Sequence, residues 1–221
     1  MSCSSESPTL EVKEKILLNF LRNDLHIKAE TEYHAPSDTV EDWVNALNGR
    51  YVDSEHVSYK LCKNLFLHHK KQKHRKYYGV ALAETKVDMN SMSKVLGLGS
   101  GNLRFADNED LPLYLDIMPG SVTPLCFHIL DESVQKVRPD LVNAKVIENM
   151  KSLTIIMDAA MFNKSENLET VLLFHPLHNA ASTGLTQLEF AKFMKHCLGD
   201  EAWSRVIVYD FSQNEVVPLQ I

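Results

Sequence analysis

The sequence predicts an α+β fold: a curved, mixed, mainly antiparallel sheet, a partial barrel, with helices around it. Three observations carry that reading. Strand-like and helix-like runs alternate irregularly, without the repeating β-α-β order of a doubly wound fold. Two β-rich runs, near 56–67 and 76–84, flank the polar stretch "HHKKQKHR" and so read as a hairpin. At 221 residues, 44% hydrophobic and 24% charged, the chain is long enough to bury a sizeable core, and no repeat or linker interrupts 10–211. Residues 1–8 are Ser-rich and expected to be a disordered tail, 9–211 a single domain with an insertion near 133–150, and 212–221 a C-terminal tail.

The elements follow from local pattern. Thr9 is placed to cap a helix in which Val12, Ile16, Leu17, Phe20 and Leu21 have helical spacing. A strand is expected near 26–33. Thr39 opens a second helix with Val40, Trp43, Val44 and Leu47 on one face, and Gly49 is placed to end it. Asp88 and Asp107 cap short helices ending near Gly97 and Asp116. "MPGSVTPL" is irregular, because Pro119 and Pro124 lack backbone donors and Gly120 favours a turn. "SVQKVRPDLVNAKVIENM" is an irregular, partly helical insertion, followed by two β-rich runs, "SLTIIMDAAMF" and "ETVLLFHPLHN". Thr186 and Glu189 form a capping box for a helix carrying Leu188, Ala191, Met194 and Leu198, and "SRVIVYDF" is a final strand.

Composition excludes several classes of function. A net charge of -6 argues against a general nucleic-acid coat, so RNA binding would rest on a local basic patch. The 4 cysteines, Cys3, Cys62, Cys126 and Cys197, include no C-x-x-C pair, which indicates neither a disulfide framework nor a zinc knuckle and suits a reducing compartment. The N-terminus has no apolar signal core, and the longest apolar run, "LTIIMDAAMF", is short and contains Asp158. The cytoplasm is expected, with no membrane partner.

Four stretches carry candidate chemistry. If 56–67 is a strand, Val57, Tyr59, Leu61, Lys63, Leu65 and Leu67 share a face, and Lys63 interrupts an apolar stripe. Its ammonium then needs a partner or a wet pocket, unless a bulge or a snorkelling stem takes it to water. Gly120, Ser121, Val122, Thr123 and Pro124 make a G-x-x-x-P loop, able to offer backbone N–H groups to an anion or oxyanion and equally able to serve only as a turn. His175 stands at a strand end before Pro176, suited to a general base, an orienting hydrogen-bonder or a structural histidine. His175 and His178 span a proline in a spacing that fits neither a helical H-E-x-x-H nor a finger, so no metal and no cofactor are expected. Finally, Lys70, Lys71, Lys73, Arg75 and Lys76 crowd the hairpin tip, as a solvated loop or as a phosphate contact.

Taken in order, "TVEDWVNAL", "KNLFL" with "YYGVALAETKVDM", "NLRFADNEDL", "PGSVTPL", "LTIIMDAAMF" and "FHPLHNAAS" make the chain resemble, from about Leu10 to Leu198, the YbaK/ProX family of aminoacyl-tRNA deacylases, and within it the free-standing prolyl-tRNA editing proteins. The resemblance implies hydrolysis of mischarged tRNA(Pro), Ala-tRNA(Pro) foremost, by water attack on the aminoacyl ester. It maps the family's functional lysine and asparagine onto Lys63 and Asn64, its loop onto Gly120–Pro124 and its histidine onto His175. Lys63 would place the terminal adenosine or its phosphate, Asn64 and His175 would shape the pocket, and either His175 or the substrate's ribose hydroxyl would accept the proton. The basic tip would follow the tRNA, and prolyl-tRNA synthetase or a multi-synthetase assembly would be a partner. Cys-tRNA(Pro) deacylation, broader deacylation and a non-catalytic tRNA- or synthetase-binding module are the alternatives. Two departures stand out: Asp116 where the family usually has glycine, and a longer stretch from about Ser133 to Met150. Such editing answers a physical need, because a missing methylene is worth only about 1–3 kcal/mol of discrimination.

Overall fold

The computed structural model describes residues 9–139, 143–163 and 168–219. The tail expected at 1–8 and the insertion's residues 140–142 lie outside the described residues. Nine strands form one mixed sheet: β1 (Glu30–Tyr33), β2 (Val57–His69), β3 (Lys76–Leu82), β4 (Leu103–Phe105), β5 (Thr154–Asp158), β6 (Glu169–Phe174), β7 (Ala181–Thr186), β8 (Ile207–Asp210) and β9 (Glu215–Val217). Their order is β1-β7-β6-β2-β3-β5-β8-β9, with β4 added beside β2. β1 and β9 end the path without meeting, so the sheet is curved but not closed. Five of the eight pairings among the described residues are antiparallel.

The helices are α1 (Leu10–Asn19), α2 (Val40–Leu47), α3 (Met89–Val95), α4 (Asp110–Tyr114), α5 (Glu132–Val137), α6 (Ala144–Lys151) and α7 (Gln187–Trp203). The main core lies on one side of the sheet, where Leu17 of α1, Phe20 and Leu21 just after it, and Phe190, Phe193 and Met194 of α7 meet Phe66, Tyr78, Phe127 and Leu172. The sheet's other side carries two smaller clusters. Trp43 and Leu47 of α2 cover Tyr59, Leu61, Val171 and Leu173, and Met92 of α3 joins Leu65, Leu67, Tyr77 and Ala81.

Capping follows the sequence in most places. Thr39 and Asp42 form a reciprocal box at α2, Thr186 and Glu189 one at α7, and the Asp88 carboxylate accepts the Asn90 and Ser91 amides at α3. Asp107 differs from expectation: α4 starts at Asp110, and the Asp107 carboxylate takes the Lys73 ammonium at 2.8 Å instead of a helix amide. Val40, Val44 and Leu188 were expected on buried helix faces and are exposed, because the small α2 cluster needs only Trp43 and Leu47, and α7 turns Phe190, Ala191 and Met194 inward. The segment 212–221, expected as a tail, contributes β9, whose Val217 pairs with Val208 on the otherwise open edge of β8. β4 and β7 have no counterpart among the expected strands; β4 is short, and β7 ("ASTGLT") is small and polar without alternation.

Gly184 in β7 is required by a close approach. A Cβ there would stand 2.9 Å from Val171 Cγ1 and 3.4 Å from Leu173 Cδ2, side chains of β6. Gly184→Ala should therefore cost about 1–3 kcal/mol through overpacking, seen as a lower urea midpoint with an unchanged slope. An unchanged midpoint would show that β6 and β7 separate freely at this pair.

Candidate active site

β2 changes partners along its length. On one edge it pairs with β6 as far as Leu61 and with β4 only from Leu67, while β3 holds the other edge from Cys62 to His68. The Phe66 carbonyl accepts the Ala106 N–H at 2.9 Å, so Cys62–Leu65 is the stretch with a strand on one side only. The unpaired edge lies between the end of β6 and β4. The stretch also falls at the seam between the two clusters covered by α2 and α3. Lys63 occupies that seam, which is why the apolar stripe is broken there.

Strand alternation puts Lys63 on the face of Tyr59 and Leu61, and His175, just beyond β6, stacks on Trp43, which covers that same face. Lys63 is half-buried, and its ammonium donates to the Ala83 carbonyl at 3.0 Å and to the Thr85 carbonyl. Burial lowers its pKa from the usual lysine value, and Asp158 and Glu84 oppose that shift. Asn64 points to the opposite face, accepts the Tyr78 hydroxyl at 2.9 Å and donates to the Val122 carbonyl at 2.7 Å. It thereby ties the G-x-x-x-P loop to β2.

The loop itself divides by role. Gly120 has φ 83, a left-handed position that favours glycine, and a Cβ there would lie 3.2 Å from the Asp38 Oδ1 atom. Ser121 donates its N–H to the Met118 carbonyl, whereas the Gly120 and Val122 amides meet no acceptor among the described residues. Thr123 and Pro124 are structural: the Thr123 hydroxyl accepts the Leu125 amide, and Pro124 is the first residue of a 3-10 helix running to Leu130. Asp116, the departure noted from the resembled family's usual glycine, has φ 54, a left-handed position that glycine fills freely and aspartate tolerates. Its carboxylate also receives the Lys13 ammonium at 2.6 Å.

His175 is held by residues that the sequence did not single out for this task. Its Nδ1 bonds the Ala181 carbonyl at 2.9 Å, so Nδ1 carries the proton and Nε2 presents a lone pair. The Trp43 indole lies 4.1 Å away, at an interplanar angle of 30°. That indole donates to Ser182 Oγ at 2.6 Å, and Ser182 in turn bonds His34 Nε2 at 2.8 Å. His34 Nδ1 ends the chain on the Ala35 carbonyl. Burial pushes the His175 pKa down from 6.5 to about 4, with the nearby His34 and His178 adding to the effect and the Ala181 bond opposing it. The imidazole is therefore neutral near pH 7 and a weak base. Spacing alone could not join Trp43 of α2, Ser182 of β7 and His34, just after β1.

The basic tip is less uniform than its sequence. Lys70 and Lys71 are exposed, and Lys73 and Arg75 are exposed but engaged with Asp107 and Gln72. Lys76, expected to contact tRNA, is buried: its ammonium is paired with Asp110 and lies 5.3 Å from the Tyr114 ring centroid. It anchors the hairpin beside its turn, where it pairs with His68, and its ammonium is buried. Cys62, Cys126 and Cys197 are free and buried, which raises their thiol pKa values well above the ordinary range. Among the described residues no group of three or more His, Cys, Asp or Glu is placed to hold a metal, and no helix is long and apolar enough to cross a membrane.

Residues 34–193, a span that contains every residue of this site, match the family model described as aminoacyl-tRNA editing domain. Prolyl-tRNA synthetase associated domain-containing protein 1 of Bos taurus is 30% identical over 191 residues, 86% of this chain and 91% of its own length. Its Xenopus laevis namesake is 32% identical over 81% of this chain and 88% of its own. The prolyl-tRNA editing protein ProX of Acetoanaerobium sticklandii is 24% identical over 84% and 92%. A crystal structure provisionally described as a trans-editing enzyme for prolyl tRNA synthetase superimposes with a TM-score of 0.54, at 16% identity, over 91% of this chain and 98% of its own, which is a likeness of fold.

The depressed imidazole pKa gives a checkable outcome. The folded state disfavours protonated His175, so between about pH 6.5 and pH 4 the unfolded chain binds the extra proton and stability falls as the pH is lowered through that window. Long-range 1H–15N spectra should show His175 neutral and Nδ1-protonated down to near pH 4. A midpoint near 6.5 would place the ring in water.

Proposed function

The chain belongs to the aminoacyl-tRNA editing domain family, and we propose that it is a trans-editing hydrolase that deacylates mischarged tRNA(Pro), with Ala-tRNA(Pro) its main substrate. The observation that carries this reading is the seam on β2: Lys63 and His175 lie on one face there, and Asn64, on the other, holds a loop whose Gly120 and Val122 amides meet no acceptor among the described residues. In this reading the Gly120 and Val122 amides hold the aminoacyl carbonyl and the oxyanion that develops on it. The Lys63 ammonium meets the terminal adenosine or its phosphate, and Asn64 fixes the loop through the Val122 carbonyl. His175, a weak base, orients the attacking water through Nε2, and the substrate's neighbouring ribose hydroxyl takes the water's proton as it passes its own to the departing ester oxygen. The exposed cations Lys70, Lys71, Lys73 and Arg75 follow the acceptor stem. The described domain, from 9 to 219 with α5 and α6 as the longer insertion, would act in the cytoplasm beside prolyl-tRNA synthetase or a multi-synthetase assembly.

A second reading, a tRNA- or synthetase-binding module without catalysis, is favoured by one observation: two backbone carbonyls already hold the Lys63 ammonium. Deacylation measured on a panel of charged tRNAs separates the two. The proposal expects turnover of Ala-tRNA(Pro) above Cys-tRNA(Pro) and cognate Pro-tRNA(Pro), and a loss of about a hundredfold or more in Lys63→Ala. Binding without turnover across the whole panel would establish the module.

The tip is tested separately. Changing Lys70, Lys71 and Lys73 together to Ser should weaken tRNA binding at low salt and flatten the log–log salt dependence by about two, with single-turnover cleavage at saturating enzyme little altered. An unchanged salt slope would remove the tip from the RNA path.

A further inference from the structure

Asp158 ends β5, and only 1% of its surface is exposed. Its Oδ1 accepts the Ala160 amide at 3.0 Å, capping the short 3-10 helix that follows. Its Oδ2 reaches in the other direction, accepting the Leu82 amide at 3.3 Å and the Thr85 hydroxyl. Thr85 is also one of the two residues whose carbonyls hold the Lys63 ammonium. The carboxylate is thus bound by three donors from two segments and makes no direct ion pair with Lys63. Helix capping needs only one of its oxygens, and the second oxygen is committed to the segment that carries the lysine's acceptors.

We infer that Asp158 is a positioning residue for Lys63, acting through Thr85: by gripping the Thr85 hydroxyl it fixes the Ala83–Thr85 carbonyls at the spacing that holds the ammonium at the seam. This rests on the reading of Lys63 as the cation that receives the substrate's terminal nucleotide. The charged groups that face Lys63 are Asp158, from the end of β5, and Glu84, from the segment after β3. Glu84 is exposed and lies 3.8 Å from Lys60, so the buried Asp158 is the steadier of the two. The device lets a half-buried ammonium stay protonated and aimed while the substrate is absent.

The test uses the whole chain and reads the lysine directly. In 15N spectra of lysine ammonium groups, the signal that Lys63→Arg removes is Lys63 Nζ, and its carbonyl partners should make it resolved and slow to exchange with water. Thr85→Val keeps the backbone carbonyl and the branched shape but cuts the tether, and it should broaden that signal by solvent exchange. Asp158→Asn keeps the capping oxygen but removes the charge, and it should lower the Lys63 titration midpoint by on the order of one pH unit. Each variant should reduce deacylation about tenfold or more, and Asp158→Asn added to Lys63→Ala should cost little further, as expected for residues acting as one unit. An unchanged Lys63 signal and midpoint in both folded variants overturns the inference. Altered Lys63 signals in a chain that deacylates nothing uphold it while removing the deacylase reading.

Discussion

An ammonium on the apolar face of a central strand must be given acceptors, and much of this molecule's local architecture follows from that requirement. Transfer of an unpaired charge into an apolar setting is prohibitive, so Lys63 is tolerable only where the cover of the sheet is interrupted and oxygen atoms are at hand. Both conditions arise from one event, the change of partners along β2. Where β6 stops and β3 takes over, α2 and α3 cover separate clusters, and the chain leaving β3 turns back to present the Ala83 and Thr85 carbonyls. A sheet with uniform pairing and one continuous cover would have no place for this side chain.

The same event organises the neutral half of the site. β6 ends one residue before His175, and the turn that follows carries the left-handed Leu177, whose φ of 73 is strained for a large side chain. Asn179 steadies that turn by donating to Asp38 and by accepting the Ser37 hydroxyl at its carbonyl. The Trp43–Ser182–His34 chain then locks the indole against the imidazole. The outcome is one fixed cation and one uncharged, directional acceptor on the same face, an asymmetry suited to a ligand with an anionic and a neutral end.

Much of this was legible in the sequence, for reasons that differ by element. Periodicity found β2, β3, β6, α2 and α7 because each has a buried face of large apolar residues. The capping boxes at Thr39 and Thr186 were visible because they are local chemistry. β4 and β7 escaped because one is three residues long and the other is built of Ala, Ser, Thr and Gly, residues that fill a crowded sheet without leaving an amphipathic pattern. Lys63 could be recognised as anomalous, but not its partners, since the Thr85 carbonyl belongs to every residue type alike. Lys76 read as one more cation of the tip because burial depends on Phe66 and Tyr114, distant in sequence or on another element.

Burial of Lys76 changes what the hairpin is. Pinned beside its turn by Asp110 and two aromatic rings, the β2–β3 hairpin holds its cations on a stiff stem, and the six steps from Lys63 to His69 span about 20 Å. The arm therefore sets a fixed distance between the Lys63 ammonium at the seam and the exposed cations of the tip. A ligand as small as an aminoacyl ester is too short to span that distance, whereas a chain of several linked nucleotides is long enough. Under the proposed function, length as well as chemical identity would separate one ligand from another.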